Sequence, residues 1–191
     1  MCLPGARKRT MKTYLFADME FSGLDIELHR PLEIAIIATD KAFKSIKTYS
    51  STFYWEEIQF NEWSEERHAV SGLLDDICDG RDAGDIDADL LRFCSGLSGD
   101  LVLAGQSVHV DRSWIARYLP QFAKKLNHRV FDLTTIDMML EDRGSSIRNR
   151  SNVHRAMADV RAAVKSAQHY AASISYSASL NGVNIESRDS L

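Results

Sequence analysis

The chain has 191 residues, of which 45% are apolar and 26% are charged, and its formal net charge is -4 at pH 7. This composition predicts one soluble globular domain and argues against a basic surface that holds long nucleic acid. A short anionic substrate reached through metal ions stays compatible with it. No apolar run approaches the roughly 20 residues that cross a bilayer, so we expect a cytoplasmic protein with no membrane partner.

The N-terminal half is predicted to begin with a short basic arm, residues 1–12, followed by a strand over 13–20. Side chains alternate along a strand, so Asp18 and Glu20 project from the same face, about 7 Å apart. Two ionised carboxylates side by side repel, and burying them is unfavourable unless a cation offsets their charge. The pair therefore predicts a divalent metal site, with a strand that simply ends at the surface as the alternative.

Further elements follow in a regular order along the chain. Strands are predicted at 33–39 and 44–55, and short links make them an antiparallel meander that leaves the acids of the first strand near the sheet centre. Helices are then predicted at 63–68, 85–97, 111–119, 133–140 and 155–172, with short strands at 101–104 and 130–131.

A meander followed by two strand-helix units predicts an α/β fold with a mixed five-stranded sheet flanked by helices. We expect residues 13–172 to form this domain. The Ser- and Asn-rich segment 173–191 lacks sustained periodicity, and we predict a poorly ordered tail there.

Two further acids and a histidine could join the pair on the first strand. Asp111 opens a predicted helix after a buried strand, so it is either an N-cap or a residue that faces the strand ends. Asp159 lies in the first turns of the last helix and His154 lies just before it, where each alone fits a helix-end role. Together, four carboxylates and an imidazole supply the groups that two-metal phosphoryl chemistry requires.

These residues lie in motifs that resemble the DEDDh 3′-5′ exonucleases of the ribonuclease H-like fold, most closely the oligoribonuclease family. The likeness covers 13–172. Residues 18–25 are similar to the family's Asp-Leu-Glu-Met-Thr-Gly-Leu-Asp motif, and 63–73 keep its Trp-x4-His-x2-Ser-Gly-Leu spacing. Residues 105–112 correspond to Gly-Asn-Ser-x3-Asp-Arg, and 154–159 match His-x-Ala-x2-Asp.

The resemblance implies a catalytic site with two divalent cations. It implies Asp18, Glu20, Asp111 and Asp159 as ligands of two Mg²⁺ or Mn²⁺ ions, and His154 as the general base. It also implies that a homodimer releases nucleoside 5′-monophosphates from the 3′ end of very short single-stranded RNA, down to dinucleotides.

Base-binding residues are implied in the first two motifs. The resemblance assigns base contacts to Leu24 and Trp63 and includes His68 among the substrate-binding residues. A base stacked on an aromatic face gains about 1–3 kcal/mol. Packing of Trp63 in the core is the alternative.

A grip on the 5′ phosphate is implied at Ser107, Arg129 and Thr134. An arginine can hold a phosphate through two parallel charge-assisted hydrogen bonds, while hydroxyl groups take up the remaining oxygens. The alternative for Arg129 is an ion pair with a surface acid such as Asp132.

The chain departs from the family pattern at Gln106, Thr134 and His128, where Asn, Ser and Tyr are usual. These departures affect substrate length preference rather than catalysis. Four arginines near His154 either grip phosphates or form a solvated basic loop: Arg143, Arg148, Arg150 and Arg155.

Two rival functions stay open. The first is a 3′-5′ exonuclease of proofreading or trimming type that acts on single-stranded DNA or RNA ends, because sugar discrimination depends on the pocket around a 2′-hydroxyl. The second is a catalytically silent nucleic-acid-binding module. Loss of one acid or of His154 would indicate the silent module, and all five residues are present.

Overall fold

The computed structural model describes residues 11–144 and 153–180, with only the backbone described over 175–180. Within these residues one five-stranded sheet has the order β3-β2-β1-β4-β5. Its strands are β1 (Lys12–Phe21), β2 (Pro31–Thr39), β3 (Ser45–Thr52), β4 (Asp100–Gly105) and β5 (Leu126–Asp132). The predicted mixed five-stranded sheet is confirmed.

Helices lie on both faces of this sheet. They are α1 (Glu62–Val70), α2 (Leu73–Asp76), α3 (Ala83–Cys94), α4 (His109–Tyr118), α5 (Pro120–Ala123), α6 (Leu133–Glu141) and α7 (Ala156–Leu180). A 3-10 turn, Ile77–Asp79, follows α2. No helix in the described ranges is both long enough and apolar enough to cross a bilayer.

Strand β1 occupies the centre of the sheet. It pairs antiparallel with β2, which pairs antiparallel with β3, so the predicted meander is confirmed. On its other side β1 pairs parallel with β4, and β4 pairs parallel with β5. The carboxyl ends of three parallel strands therefore meet at one edge of the sheet, where ligand sites of α/β proteins form.

The alternation of side chains along β1 decides which helices the two acids face. Leu15, Ala17 and Met19 pack into the core under α3 and α4, whereas Phe16 packs against α7. Because side chains two residues apart share a face, Asp18 and Glu20 point to the α7 side. Strand β1 therefore presents both carboxylates on the side of the sheet that packs against α7.

Two predicted helix ends differ from the structure. The helix predicted to reach residue 97 ends at Cys94, because Gly96 adopts a left-handed φ of +86° that stops it. The last helix runs on to Leu180 instead of ending at 172, since an established helix grows at little cost and no glycine or proline interrupts before Gly182.

Parts of the predicted arm and tail lie outside the described residues. These are 1–10 of the arm and 181–191 of the tail. Residues 145–152, which include Arg148 and Arg150 of the predicted basic loop, also lie outside the described residues. The division of the chain into arm, domain and tail stays a prediction.

Candidate active site

Three carboxylates converge at the edge of the sheet. Asp18, Glu20 and Asp159 each offer an oxygen within 4.8 Å of the others. Strand β1 supplies the first two, and the first turn of α7 supplies the third. Carboxylate oxygens are hard donors that suit a hard divalent cation, so this donor set fits such an ion.

Asp111 lies beside these three carboxylates. Its side chain is 5% exposed, and it belongs to the first turn of α4, whose N-cap is Val108. The capping alternative for Asp111 is therefore wrong. Its carboxylate is hydrogen-bonded to the backbone of Met19 and to its own backbone, and its charge acts on Asp18. Asp111 is thus held at the cluster by β1 itself.

Burial raises the pKa of every acid in the cluster, and repulsion between its members adds to the shifts of Asp18 and Glu20. Burial, followed by the charge of Asp111, raises the pKa of Asp18 well above its usual range. Burial together with Asp159 and Glu33 raises the pKa of Glu20 to about 8, and burial raises the pKa of Asp111 to about 7 and that of Asp159 in the same direction. Near neutral pH the metal-free cluster therefore keeps protons that a bound cation would displace.

This shift predicts that Glu20→Gln stabilises the metal-free protein in a pH-dependent way. The pKa of Glu20 is about 8 in the folded protein, against an ordinary value of 4.5. Below pH 4.5 the carboxyl group is protonated in the folded and the unfolded state, so its ionisation does not oppose folding. As the pH rises from 4.5 to 8 the unfolded chain releases this proton more readily than the folded protein does, and the folded protein loses stability. We expect the variant to melt about 2–4 °C higher at pH 8 and almost unchanged at pH 4.5. Thermal melts in a chelator measure this, and equal shifts at both pH values would contradict it.

Glu33, which was not among the predicted site residues, lies next to Glu20 across the β1–β2 pairing. Its buried carboxylate accepts hydrogen bonds from Arg155, with Nη2 to Oε1 at 3.1 Å and Nε to Oε2 at 3.3 Å. The same guanidinium donates to Asp76 at 2.7 Å. Arg155 is thus engaged with two acids, which argues against both the phosphate grip and the solvated loop for this arginine. Arg143, in the turn after α6, instead donates to the carbonyl of Met139 on that helix.

His154 lies close enough to Asp159 for its charge to lower the pKa of that carboxyl, and it also borders a cleft. Its backbone has a φ of +49°, an unusual conformation for a residue other than glycine. Its ring meets Trp63 edge to face, with centroids 6.0 Å apart. A cleft of about 420 Å³ is lined by Trp63, Glu66, Arg67, Val70, Val153 and His154.

Trp63 is 59% exposed, so the alternative of core packing is wrong for it. The guanidinium of Arg67 lies 5.5 Å from the centre of its ring. Helix α1 therefore presents a flat apolar surface to the cleft, next to the histidine.

His68 lies on the buried side of the same helix. It is 2% exposed, and its Nε2 lies 3.0 Å from the carbonyl oxygen of Phe21 and 4.0 Å from Oε2 of Glu20. A carbonyl only accepts, so Nε2 carries the proton and donates to it. Burial lowers the pKa of His68 and keeps the ring neutral. His68 thus joins the buried side of α1 to the end of β1, close to Glu20 but not hydrogen-bonded to it.

Leu24 projects from the loop after β1 and is 77% exposed. The loop has a fixed shape because the backbone N–H of Asp25 donates to Nδ1 of His29 at 3.1 Å. The His29 ring covers Gly23 so closely that a Cβ there would lie 2.4 Å from its Nε2. Only glycine fits under this ring, and the apolar side chain of Leu24 is held in solvent.

Ser107, in the loop after β4, meets Thr134 in the first turn of α6, which follows β5 directly. The backbone N–H of Ser107 donates to Oγ1 of Thr134 at 2.8 Å and to Oδ1 of Asp132 at 3.1 Å. The two hydroxyl groups lie 3.3 Å apart. The Asp132 carboxylate also caps α6 through the N–H of Thr134, and its other oxygen lies 3.8 Å from His109.

Arg129 lies apart from this hydroxyl pair. It is exposed on β5 and lines a depression of about 100 Å³ with Lys12, Tyr14, Asp100 and Asn127. Among the described contacts the acid near its strand end, Asp132, is engaged by backbone N–H groups and His109. The structure therefore brings together two of the three residues predicted to hold a phosphate.

Comparison with known proteins gives one family and several close relatives. Residues 15–167 match a family model described as exonuclease, of the RNase T type. A probable oligoribonuclease of Drosophila melanogaster is 30% identical over 174 residues, which cover 84% of this chain and 81% of that protein. A probable oligoribonuclease of Dictyostelium discoideum is 28% identical over 83% of this chain and 88% of its own length. The human mitochondrial oligoribonuclease is 26% identical over 82% and 70%.

Solved structures resemble the same domain. The complex of Escherichia coli exonuclease I with single-stranded DNA, in its zinc-bound form, has a TM-score of 0.61 at 22% identity over 83% of this chain. A product-bound exonuclease I has a TM-score of 0.61 at 18% identity over the same share. This chain spans 40% and 43% of those proteins. At such identities the likeness concerns the fold, and it confirms the ribonuclease H-like arrangement predicted from the sequence.

Proposed function

The chain belongs to the exonuclease family, and from that premise we propose that it hydrolyses very short oligoribonucleotides from their 3′ end to nucleoside 5′-monophosphates. The convergence of Asp18, Glu20 and Asp159, with His154 near Asp159, carries this proposal. The names of relatives at 25–30% identity support the substrate class. Retention of all four acids and the histidine argues against a silent binding module.

For the cofactor we propose two Mg²⁺ or Mn²⁺ ions. When bound, they would supply positive charge that stabilises the developing charge on the phosphate and lowers the pKa of a bound water. Asp18, Glu20 and Asp159 would hold them through the converging oxygens, with Asp111 completing the set from α4. The acids must lose their protons to do so, which couples metal affinity to pH.

For the general base we propose His154. Its ring borders the cleft and meets the Trp63 ring edge to face. An imidazole can accept a proton from the attacking water at neutral pH and pass it to solvent. The position of this ring at the mouth of the site suits that exchange.

For the bases of the substrate we propose contacts with Leu24 and Trp63. Both side chains are large, apolar and more than half exposed, and Trp63 lines the cleft that His154 borders. Stacking on such a surface tolerates any base, so we expect little sequence preference. His68 is 2% exposed and would act on the substrate only indirectly, by holding α1, which carries Trp63, against the end of β1.

For the 5′ phosphate we propose Ser107, Thr134 and Arg129, and we predict that Arg129→Ala acts on phosphorylated substrates only. We expect kcat/KM on a 5′-phosphorylated dinucleotide to fall by about 10–100-fold, because a charge-assisted pair is lost, and kcat/KM on the 5′-hydroxyl dinucleotide to change little. Arg92→Ala is the matched control, since it removes an exposed arginine that pairs with Asp89 on α3 and does not line this depression. Equal losses on both substrates would remove Arg129 from the phosphate site.

Digestion of RNA ladders tests the proposed function most directly. A ladder of 5′-labelled RNA from two to about twenty nucleotides, incubated with Mg²⁺ or Mn²⁺, should be shortened from the 3′ end, with the shortest species consumed fastest. Failure to hydrolyse any species with either ion would overturn the proposal. A DNA ladder beside it tests a second candidate, a single-stranded DNA exonuclease, which is favoured by the resemblance to exonuclease I solved with DNA.

For assembly and compartment we propose a cytoplasmic homodimer. Exposed large apolar side chains on β5 and α6 support association, namely Val130, Met138 and Met139. Sedimentation equilibrium should give twice the chain mass of 21.5 kDa, and a monomer at micromolar concentration would contradict it. Human and bovine relatives carry "mitochondrial" in their names, so fractionation of the source cells decides the compartment.

A further inference from the structure

Arg155, the residue after His154, is clamped between two acids from different parts of the chain. Its guanidinium donates to Glu33 on β2 at 3.1 Å and to Asp76 at the end of α2 at 2.7 Å. The side chain of Glu33 is 6% exposed, that of Arg155 27% and that of Asp76 51%. Glu33, Arg155 and Asp76 together form a clamp, in which the arginine links the buried sheet to the surface.

The buried half of the clamp also holds the beginning of α7. Oε2 of Glu33 accepts a hydrogen bond from the backbone N–H of Ala156 at 2.8 Å, in addition to those from Arg155. One carboxylate thus engages two consecutive residues directly after His154. Because the first N–H groups of a helix have no partner within the helix, this contact fixes where α7 starts.

A negative charge at Glu33 is electrostatically unfavourable, so its presence there needs an explanation. Glu33 lies across from Glu20 and adds a negative charge to a cluster of acids that already repel one another. A buried ion pair is weak evidence for stability, because desolvation offsets much of the attraction. An additional acid at this place is therefore better explained by positioning than by stability.

The backbone before the clamp is in a conformation that needs support. His154 has a φ of +49°, and residues other than glycine keep such a conformation only where neighbouring contacts impose it. On one side the His154 ring meets Trp63, which α1 carries, and on the other side Arg155 is fixed to β2 and α2. The histidine is thus held from both directions.

We infer that Arg155 is a positioning residue: held by Glu33 and Asp76, it fixes the His154 ring at the cleft in the orientation that proton transfer requires. This inference rests on the proposed function. Positioning by a neighbouring residue differs from catalysis by that residue, since Arg155 acts only through His154. Its contribution must therefore disappear when the imidazole is absent.

The test compares Arg155→Gln in two backgrounds, the natural chain and His154→Ala. Rates are measured on a 5′-phosphorylated RNA dinucleotide at saturating metal, and melting temperatures are measured on the same samples. The matched control is Arg117→Gln, which breaks an arginine–glutamate pair of 2.8 Å with Glu27 on the exposed surface. Glu33→Gln/Arg155→Gln is the second variant, since it removes both charges and leaves no buried acid unpaired.

In the natural background we expect Arg155→Gln to lower kcat by about 10–100-fold, the usual cost of a misplaced catalytic group. We expect KM to change by less than about threefold, because the clamp does not touch the substrate. In the His154→Ala background the same substitution should change kcat by less than about twofold. The double variant should follow the same pattern, and Arg117→Gln should leave kcat unchanged.

Two results would overturn the inference while leaving the proposed function intact. One is an equal loss of kcat from Arg155→Gln with and without the imidazole of His154. The other is a natural rate in the well-folded double variant. A natural chain that hydrolyses no oligonucleotide would instead overturn the proposed function, and the inference with it.

Discussion

Replacing Asp18 with alanine is expected to abolish turnover, with a loss on the order of 10⁴-fold or more, while the protein stays folded. The Asp18 carboxylate converges with those of Glu20 and Asp159, so its removal takes a central ligand from the proposed metal site. The fold should survive because burial and the neighbouring charges work against an ionised Asp18, as the raised pKa of this group indicates. Removing one acid from a repelling cluster relieves the metal-free protein.

Two measurements on the same samples check this prediction. Calorimetric titration with Mn²⁺ should show a loss of affinity, and thermal melts in a chelator should show a melting temperature equal to or above that of the natural chain. Asp142→Ala, at the exposed end of α6, is the control for the loss of an aspartate. Retained turnover in the Asp18→Ala protein would remove this residue from the site.

The sheet and the acids on it were predictable because they depend on local patterns. Alternation along β1 is a property of any strand, so the shared face of Asp18 and Glu20 followed from their spacing alone. The central place of that strand followed from short links, since a meander leaves few alternatives. The residue spacing before α7 likewise placed Asp159 within its first turn.

The contacts around these acids were less predictable because they join distant parts of the chain. Glu33 stands in a strand that is otherwise apolar, which marks it as unusual, but its pairing with Arg155 depends on how α7 meets β2. The short helix α5 has a similar origin. It is held by the buried carboxylate of Asp87, which accepts hydrogen bonds from the N–H groups of Gln121 and Phe122 at 2.9 and 2.8 Å.

The surroundings of Arg129 in the proposed substrate site were likewise not predictable from the sequence. A motif assigns a residue to a strand, whereas the direction and reach of its side chain depend on the partner it meets. Ser107 and Thr134 meet because Oδ1 of Asp132 accepts hydrogen bonds from the backbone N–H groups of both residues. The contacts of the described residues include no such tether for the Arg129 side chain, which lines a depression with Lys12.

Replacing His154 with alanine is expected to lower kcat by about 10² to 10⁴-fold, the usual contribution of a positioned general base. Metal affinity should stay close to that of the natural chain, because the converging oxygens belong to Asp18, Glu20 and Asp159. Rates at saturating substrate and calorimetric titration with Mn²⁺ separate these two effects. His169→Ala, an exposed histidine on the same helix, is the control and should leave both values unchanged.

Either of two results would contradict this prediction. A fall in metal affinity that matches the fall in rate would make His154 a metal ligand. A natural rate would mean that another group takes the proton from water. The proposed role requires a large loss in kcat with nearly constant metal affinity, because a general base takes a proton from water, whereas the converging oxygens that would hold the metal belong to Asp18, Glu20 and Asp159.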